Sequence, residues 1–460
     1  MLLNRTKQQN ILEGNLFVNI LLFAIPLILT NLLQMLYSAA DMMIVGLSNV
    51  EGAVGAIGAA GSTVNMCVNL FIGFGIGATV GVANSVGAKD AAKTERVVHT
   101  SLLMAVLFGL LGCTAGQIVA EPLLRYLGAQ ENILYLSVLY CRWYFAGMPF
   151  LALANFAASI FRAKGDAKTP LWTLTASGFL NVLLNLLFVL GFKMSVAGVA
   201  LATLLSSVFT AVVLLWLLHR DDGPCHVSFR RFRLCKTEMG QILRIGVPAG
   251  VQGVVIDFSH MLVQSALFAL NNAAGGSFIL DGTGAGTNLN QFFAALYSAV
   301  GAACVTFVGQ HIGAGKCRRV RKVLLNCSLL STIMCTVLAV VMLGFNDFLA
   351  GLYVSDPRAV EVVWQRSIIM MPFYFLLAIC GVHTAALQAM GKSTMATAIS
   401  LLGMCAYRVV WMLLIYPHIG TLQGVYWSFP TSWVLTVAVA IPVTFTVLNK
   451  KIRETERLGG

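Results

Sequence analysis

One carboxylate lies inside the first long apolar segment of the chain, and it belongs to Asp41. Asn31, Gln34 and Ser38 precede it at spacings of three and four residues, so the four side chains share one helical face. Tyr37 lies beside that face. An ionised carboxylate at the centre of a membrane helix costs about 2.5–3.5 kcal/mol on insertion scales. The position of Asp41 therefore predicts a functional group, and the structural alternative is an interhelical hydrogen bond.

Other polar residues also fall inside apolar segments. Asn181 and Asn185 are spaced i, i+4 on one face and offer carbonyl oxygens and amide donors. Asp257 and His260 are spaced i, i+3 in a later segment, and Arg408 is a lone cation in another. Packing through hydrogen bonds explains the two asparagines about as well as a site does. Asp257, His260 and Arg408 are second candidates for a coupling or structural role.

The composition identifies a membrane protein. Of the 460 residues, 58% are hydrophobic and 10% are charged, and the mean hydropathy is +0.83. Apolar runs of about 20 residues are typical of membrane-spanning helices. We predict an all-α polytopic fold with twelve transmembrane helices. Their predicted bounds are 16–45, 53–83, 98–120, 132–157, 170–191, 196–218, 240–270, 285–310, 322–344, 361–388, 395–416 and 421–447.

The chain is internally repeated. "VGAKDAAKTERVV" (86–98) aligns with "IGAGKCRRVRKVL" (312–324), and Gly165 aligns with Gly391 at the same offset of 226 residues. Six helices per repeat is an even number, so both halves cross the membrane in the same direction. Parallel 6+6 repeats are typical of secondary transporters. The predicted domains are an N-terminal lobe (1–218), a linker (219–239), a C-terminal lobe (240–448) and a tail (449–460).

The net charge of +12 reflects membrane orientation. Most of the 30 basic residues lie in loops on one side, and an even number of helices puts both termini on that side. The positive-inside rule then predicts that both termini, the linker and the tail are cytoplasmic. The basic excess requires no nucleic-acid partner.

Motifs for membrane enzymes and ATP-driven pumps are missing from the sequence. It contains no HExxH, GxSxG or Walker loop, and no cluster of histidines with carboxylates. We therefore predict that the protein is not an enzyme and has no cofactor or resident metal. The remaining energy source is an ion gradient.

Several motifs together resemble one transporter family. The first span ends in Q-x-x-Y-x-x-x-D-x-x-x-V-G, from Gln34 to Gly46. The stretches 302–324, "AALQAMGKSTMATAIS" and "YRVVWMLLIYPHIGTLQGVYWSFPTSW" continue the resemblance, which covers about 14 to 448. The chain is similar to bacterial members of the multidrug and toxic compound extrusion (MATE) family.

This resemblance implies a V-shaped pair of six-helix bundles in a bacterial cytoplasmic membrane. It implies efflux of small organic cations by antiport with H⁺ or Na⁺, by a monomer. The coupling carboxylate of the family matches Asp41, where Na⁺ would bind transiently, and its partners match Asn181 and Asn185. Many members carry Asp where this chain has Asn185. We expect Asn31, Gln34 and Tyr37 to complete the site.

Two other functions are compatible with twelve spans. One is a flippase for lipid-linked precursors, or a polysaccharide exporter, of the same superfamily. It would require two or more additional arginines near the membrane midplane. The other is a receptor or scaffold that transports nothing, which would require a partner-binding domain larger than the linker.

Overall fold

The computed structural model describes residues 11–48, 50, 52–126, 131–228 and 232–459. Within these ranges the chain is helical and contains no strand. Eleven of the described helices are long and apolar enough to cross a membrane, and the bent pair Ile133–Ala146 and Met148–Ala163 supplies a twelfth span. The predicted all-α polytopic class is confirmed.

The helices of the first half follow the predicted spans and extend beyond most of them. In chain order they are α1 (Leu16–Gly46), α2 (Ala53–Gly87), α3 (Ala91–Tyr126), α4 (Glu131–Ala146), α5 (Met148–Ala163), α6 (Lys168–Asn185), a π-helical segment (Leu186–Gly191) and α7 (Ser195–His219).

The second half repeats this pattern with more interruptions. Its helices are α8 (Lys236–Ala274), α9 (Phe278–Gly313), α10 (Cys317–Gly344), α11 (Asn346–Gly351), α12 (Pro357–Met370), α13 (Tyr374–Ala389), α14 (Ser393–Ser400), α15 (Tyr407–Val410), α16 (Tyr416–Ile419) and α17 (Leu422–Gly459). A 3₁₀ turn (Met371–Phe373) joins α12 to α13, and π-helical segments Leu401–Ala406 and Trp411–Ile415 flank α15.

The strongest bend in the first half lies at Gly147. There α4 and α5 meet at 50°, and Pro149 occupies the first turn of α5. Proline has no backbone N–H and clashes with the carbonyl four residues earlier, so the helix cannot continue straight through it. Pro26 and Pro248, by contrast, lie inside α1 and α8, which continue through them.

The described chain divides into two compact units. The first consists mainly of Ile25–Gly250, and the second combines Ile11–Ala24 with the chain from Val251 onward. Each division falls two residues from a proline, Pro26 in α1 and Pro248 in α8. Both of these helices thus begin in one unit and end in the other. The six-plus-six division at the linker stays a prediction.

The linker packs on the start of α3 within the first unit. Arg96 and Glu238 form an ion pair at 3.1 Å, and the backbone N–H of Ser228 donates to His99 Nε2 at 3.1 Å. The N–H of Cys235 donates to Thr100 Oγ1 at 3.2 Å. These bonds fix the path of the polar segment between α7 and α8.

Backbone geometry supports the repeat seen in the sequence. Gly165 and Gly391, 226 residues apart, have positive φ angles of 98° and 78°. Lys89 and Gly315, at the same offset, have φ angles of 55° and 69°. Left-handed backbone is uncommon for residues other than glycine. Two such turns at one offset indicate that the halves share a loop conformation as well as a hydropathy pattern.

The glycines of α2 differ in whether they pack against another helix. A Cβ atom on Gly77 would overlap the backbone oxygen of Ile242 in α8, and one on Gly73 would overlap the backbone of Gly250. A Cβ atom on Gly61 would meet no atom within 4 Å. Small residues four apart allow two membrane helices to approach closely. Gly73 and Gly77 therefore permit the contact of α2 with the first part of α8.

We expect Gly77→Ala to destabilise the purified protein by about 1–3 kcal/mol, because the new methyl group overpacks a rigid backbone contact. Gly61→Ala is the matched control and should leave thermal unfolding nearly unchanged. Equal unfolding temperatures for the two variants would show that α2 and α8 do not pack as described.

Candidate functional site

The carboxylate of Asp41 meets α6 through a short hydrogen bond. Asn185 Nδ2 donates to Asp41 Oδ1 at 2.5 Å and to Asn181 Oδ1 at 3.1 Å. Asn181 Nδ2 in turn approaches Ser206 Oγ on α7 at 3.5 Å. We call these four residues the Asp41 cluster. It lies entirely within the first unit and joins three helices.

Local structure brings the two asparagines into line. They are one helical turn apart on α6, and both are buried, with 6% exposure for Asn181 and none for Asn185. The π-helical segment begins directly after Asn185, and such segments are frequent at functional sites. Thr210 Oγ1 donates to Ser177 Oγ at 2.7 Å and so fixes α7 against α6.

Tyr37 anchors α1 on the same helix. Its hydroxyl donates to the backbone oxygen of Thr175 at 3.2 Å. Gly178 leaves the space for its ring, since a Cβ atom there would fall inside the ring. The other predicted members of the site lie elsewhere on α1: Asn31 is half-buried and Gln34 is exposed. The structure thus joins Asp41, Asn181 and Asn185, with Tyr37 as a nearby anchor.

The cluster offers oxygen ligands beside a carboxylate. Asn185 Oδ1 is buried without a hydrogen-bond partner among the described residues, while its amide nitrogen serves two acceptors. Asparagine oxygens and carboxylates are suitable ligands for hard cations, and a carboxylate also accepts a proton. The arrangement is chemically able to exchange a proton, a small cation or a charged ligand at Asp41.

The second unit holds a cluster of the opposite charge. Arg408 on α15 is 3% exposed, and it donates to Ser432 Oγ at 3.3 Å and to Ser259 Oγ at 3.4 Å. Its guanidinium lies 4.3 Å from the centre of the Phe429 ring. The ring of His260 stacks on the same phenylalanine at 5.6 Å. We call these five residues the Arg408 cluster.

Asp257 lies on α8 two residues before Ser259, and its side chain is exposed. A two-residue step turns a helix by about 200°, so Asp257 and Ser259 point to different sides. His260 is also exposed, in agreement with the shared face predicted for it and Asp257.

Arg366 is a second buried arginine of the second unit. It falls inside the predicted span 361–388, and the structure buries it in α12 with 7% exposure. Its Nη1 donates to the backbone oxygen of Thr283 at 2.7 Å and to Thr287 Oγ1 at 2.6 Å. Partners on α9 allow this charge to lie inside the protein, which hydropathy along the chain does not register.

Sequence reasoning missed Ser206 and Thr210. They lie one turn apart on α7, and their positions plus 226 are occupied by Ser432 and Thr436. Ser206 accepts from a member of the Asp41 cluster, and Ser432 accepts from Arg408. The alignment of the two halves contained this signal, because it pairs one hydroxyl position with the other.

Comparison with known proteins identifies the family. The MatE family model matches residues 26–187 and 253–413, which is more than half of the chain. The chain belongs to the MATE family. It is a membrane transporter and not an enzyme.

Similar relatives come from several bacteria. The probable multidrug resistance protein YpnP of Bacillus subtilis is 30% identical, over 87% of this chain and 89% of its own length. YoeA of the same organism, also a probable multidrug resistance protein, is 26% identical over 94% of each chain. An FAD transporter of Shewanella oneidensis is 24% identical, over 79% of this chain and 80% of its own length.

Solved structures share the fold. An outward-facing multidrug resistance MATE family transporter superposes with a TM-score of 0.88 at 20% identity, covering 97% of this chain and 99% of its own. This similarity places the Asp41 and Arg408 clusters on a MATE scaffold.

The contact of Gly178 with Tyr37 can be tested by a double-mutant cycle. Gly178→Ala should destabilise the protein by about 1–3 kcal/mol, because the methyl group overlaps the ring. Adding Tyr37→Ala removes the overlap, so the double variant should be more stable than the sum of the two single effects predicts. Additive changes in unfolding temperature would contradict this contact.

Proposed function

We propose that the protein exports small organic cations by antiport with H⁺ or Na⁺, and that Asp41 is the coupling carboxylate. The observation that carries the proposal is the hydrogen-bonded contact of Asp41 with Asn185, continued to Asn181. Through this contact, a carboxylate in an apolar helix has hydrogen-bonding partners within the protein. The multidrug resistance proteins among the relatives support the substrate class.

Exchange at one carboxylate can couple the two fluxes. When Asp41 takes up H⁺ or Na⁺ its charge is neutralised, and a bound organic cation loses its counter-charge. When the ion leaves, the carboxylate can again bind a cation. A ligand shifts a conformational equilibrium only through its different affinity for the two states. Alternating occupancy of Asp41 would supply that difference.

The cluster is compatible with either coupling ion. Asn185 Oδ1 and the Asp41 carboxylate are oxygen ligands for Na⁺, and the carboxylate alone is sufficient for H⁺. Because asparagine occupies position 185, the cluster has a single carboxylate. We propose that the protein acts as a monomer in the cytoplasmic membrane of a bacterium, with both termini in the cytoplasm as the basic loops predict.

The alternative functions receive less support. A flippase for lipid-linked anions would require two or more additional arginines near the midplane. Arg366 is one such buried arginine, but its Nη1 donates to Thr283 and Thr287 and its Nη2 lies 2.7 Å from the amide oxygen of Asn290 in the favoured amide orientation. The scaffold hypothesis requires a large partner-binding segment, whereas the linker packs along α3.

The decisive variant is Asp41→Asn. Asparagine keeps the shape and the hydrogen-bonding capacity of the side chain, so expression and thermal stability should remain near wild type. It cannot take up a proton and has no charge for Na⁺, so gradient-driven dye uptake into everted vesicles, which corresponds to efflux from the cell, should fall to the background of vesicles without the protein. A pH gradient and a Na⁺ gradient are imposed separately to identify the ion.

Asp347→Asn is the control, because it makes the same chemical change at an exposed position on α11. It should retain wild-type efflux. Wild-type efflux by well-folded Asp41→Asn would remove Asp41 from the mechanism, and Asp257→Asn would then be the next variant to measure.

A second prediction concerns Asn185→Asp. Two carboxylates in hydrogen-bond contact disfavour double ionisation, so one of them should titrate at a higher pH. We expect transport to persist and the pH dependence of proton-driven efflux to move toward higher pH. Asn155→Asp, on α5 outside the cluster, is the matched control. An unchanged profile for Asn185→Asp would contradict the contact with Asp41.

A further inference from the structure

We propose that the Arg408 cluster is a second ligand site, which binds a carboxylate attached to an aromatic ring. This inference goes beyond cation efflux at Asp41 and concerns the second unit alone. It rests on the unused hydrogen-bonding capacity of a buried arginine, on the aromatic ring beside it and on its position in the repeat.

The guanidinium of Arg408 is only partly used. Arginine has five N–H donors, and the two bonds of Arg408 are long, at 3.3 and 3.4 Å, and go to neutral hydroxyls. A charged donor usually approaches an oxyanion to about 2.7–2.9 Å, often through two parallel bonds. The hydroxyl of Ser432 already donates to the backbone oxygen of Phe429 at 2.6 Å, so the donors for an anion are those of Arg408. Most of the five N–H groups of Arg408 are available for a carboxylate.

Arg366 shows how an arginine with a structural role differs. Its Nη1 makes bonds of 2.7 and 2.6 Å to Thr283 and Thr287, and its Nη2 lies 2.7 Å from the amide oxygen of Asn290 in the favoured amide orientation. These short bonds hold α12 against α9. Arg408 has nearly the same burial without such bonds, so a purely structural role explains it less well.

The surroundings of Arg408 favour an aromatic anion. Phe429 lies under the guanidinium at 4.3 Å, and the ring of His260 stacks on Phe429. His260 is exposed, which marks the side on which the cluster opens to the surface of the second unit. Phe429 itself is 5% exposed and is covered by Arg408 and His260, so a ligand ring would pack against the exposed His260 ring while its carboxylate reaches the guanidinium.

The repeat indicates that the charge at this position is inverted between the halves. Ser206 and Ser432 occupy equivalent positions, 226 residues apart. Ser206 belongs to a cluster that contains a carboxylate, whereas Ser432 contacts a guanidinium. A carboxylate suits a cationic ligand and a guanidinium suits an anionic one. The two halves of one scaffold thus present sites of opposite charge preference.

The test measures binding of 2-naphthoate and of its neutral isostere 2-naphthamide to the purified full-length protein by equilibrium dialysis. We expect naphthoate to bind at least about tenfold more tightly, as a charge-assisted hydrogen bond implies. Arg408→Lys keeps the charge but loses the planar pair of donors, and it should weaken naphthoate binding about tenfold. Ser432→Ala should weaken it by a smaller factor, and Ser206→Ala, its equivalent in the first unit, should have no effect.

Several results would overturn the proposal. Equal affinity of the wild-type protein for the two naphthyl ligands would show that no anion site exists. Unchanged naphthoate binding in folded Arg408→Lys would place the ligand elsewhere. If Arg408→Lys does not fold, the comparison of Ser432→Ala with Ser206→Ala decides, and equal binding by these two variants overturns it.

Binding of naphthoate at the Arg408 cluster does not depend on cation efflux at Asp41. Asp41→Asn should bind naphthoate like the wild type even when its efflux is lost. Loss of naphthoate binding in Asp41→Asn would contradict a separate site in the second unit.

Discussion

The structure depends on one constraint: a polar group inside a membrane must find its partner within the protein. Asp41 meets this constraint through Asn185, which is shared with Asn181 and linked onward to Ser206. Three helices are held in register by side chains that have no better partner in the surrounding hydrocarbon. The interaction that makes Asp41 tolerable thus also fixes the geometry of the site that contains it.

The same constraint acts on positive charge in the second unit, with two outcomes. Arg366 makes short hydrogen bonds to Thr283 and Thr287 on α9 and so holds α12 against α9. Arg408 has long bonds to hydroxyls and an aromatic face, which support a charge without consuming its donors. Burial alone therefore does not distinguish a structural charge from a ligand-binding one, whereas the number and length of its hydrogen bonds do.

Duplication supplies the scaffold, and substitution within it changes the chemistry. The halves share loop conformations at Gly165 and Gly391, and hydroxyls at Ser206 and Ser432. They differ in the charged group placed against those hydroxyls. Membership of the MATE family thus establishes the architecture and the class of activity, while the ligands of each half depend on a few side chains.

The sequence by itself determined the spans, the repeat and the family, and it selected Asp41 as the candidate site residue. These follow from local composition. A run of apolar residues partitions into a membrane wherever it occurs in the chain. A carboxylate within such a run can be recognised as unusual even when its neighbours in the fold are unknown. The spacing of Asn181 and Asn185 also placed both on one helical face. Only the tertiary structure decided that this face meets Asp41, that Ser206 extends the contact and that Gln34 stays outside it. It also showed that Arg366 is buried against α9 and gave Gly73 and Gly77 a packing role that Gly61 lacks. These outcomes depend on which helices touch, and residues more than a hundred positions apart meet through packing that no local pattern encodes.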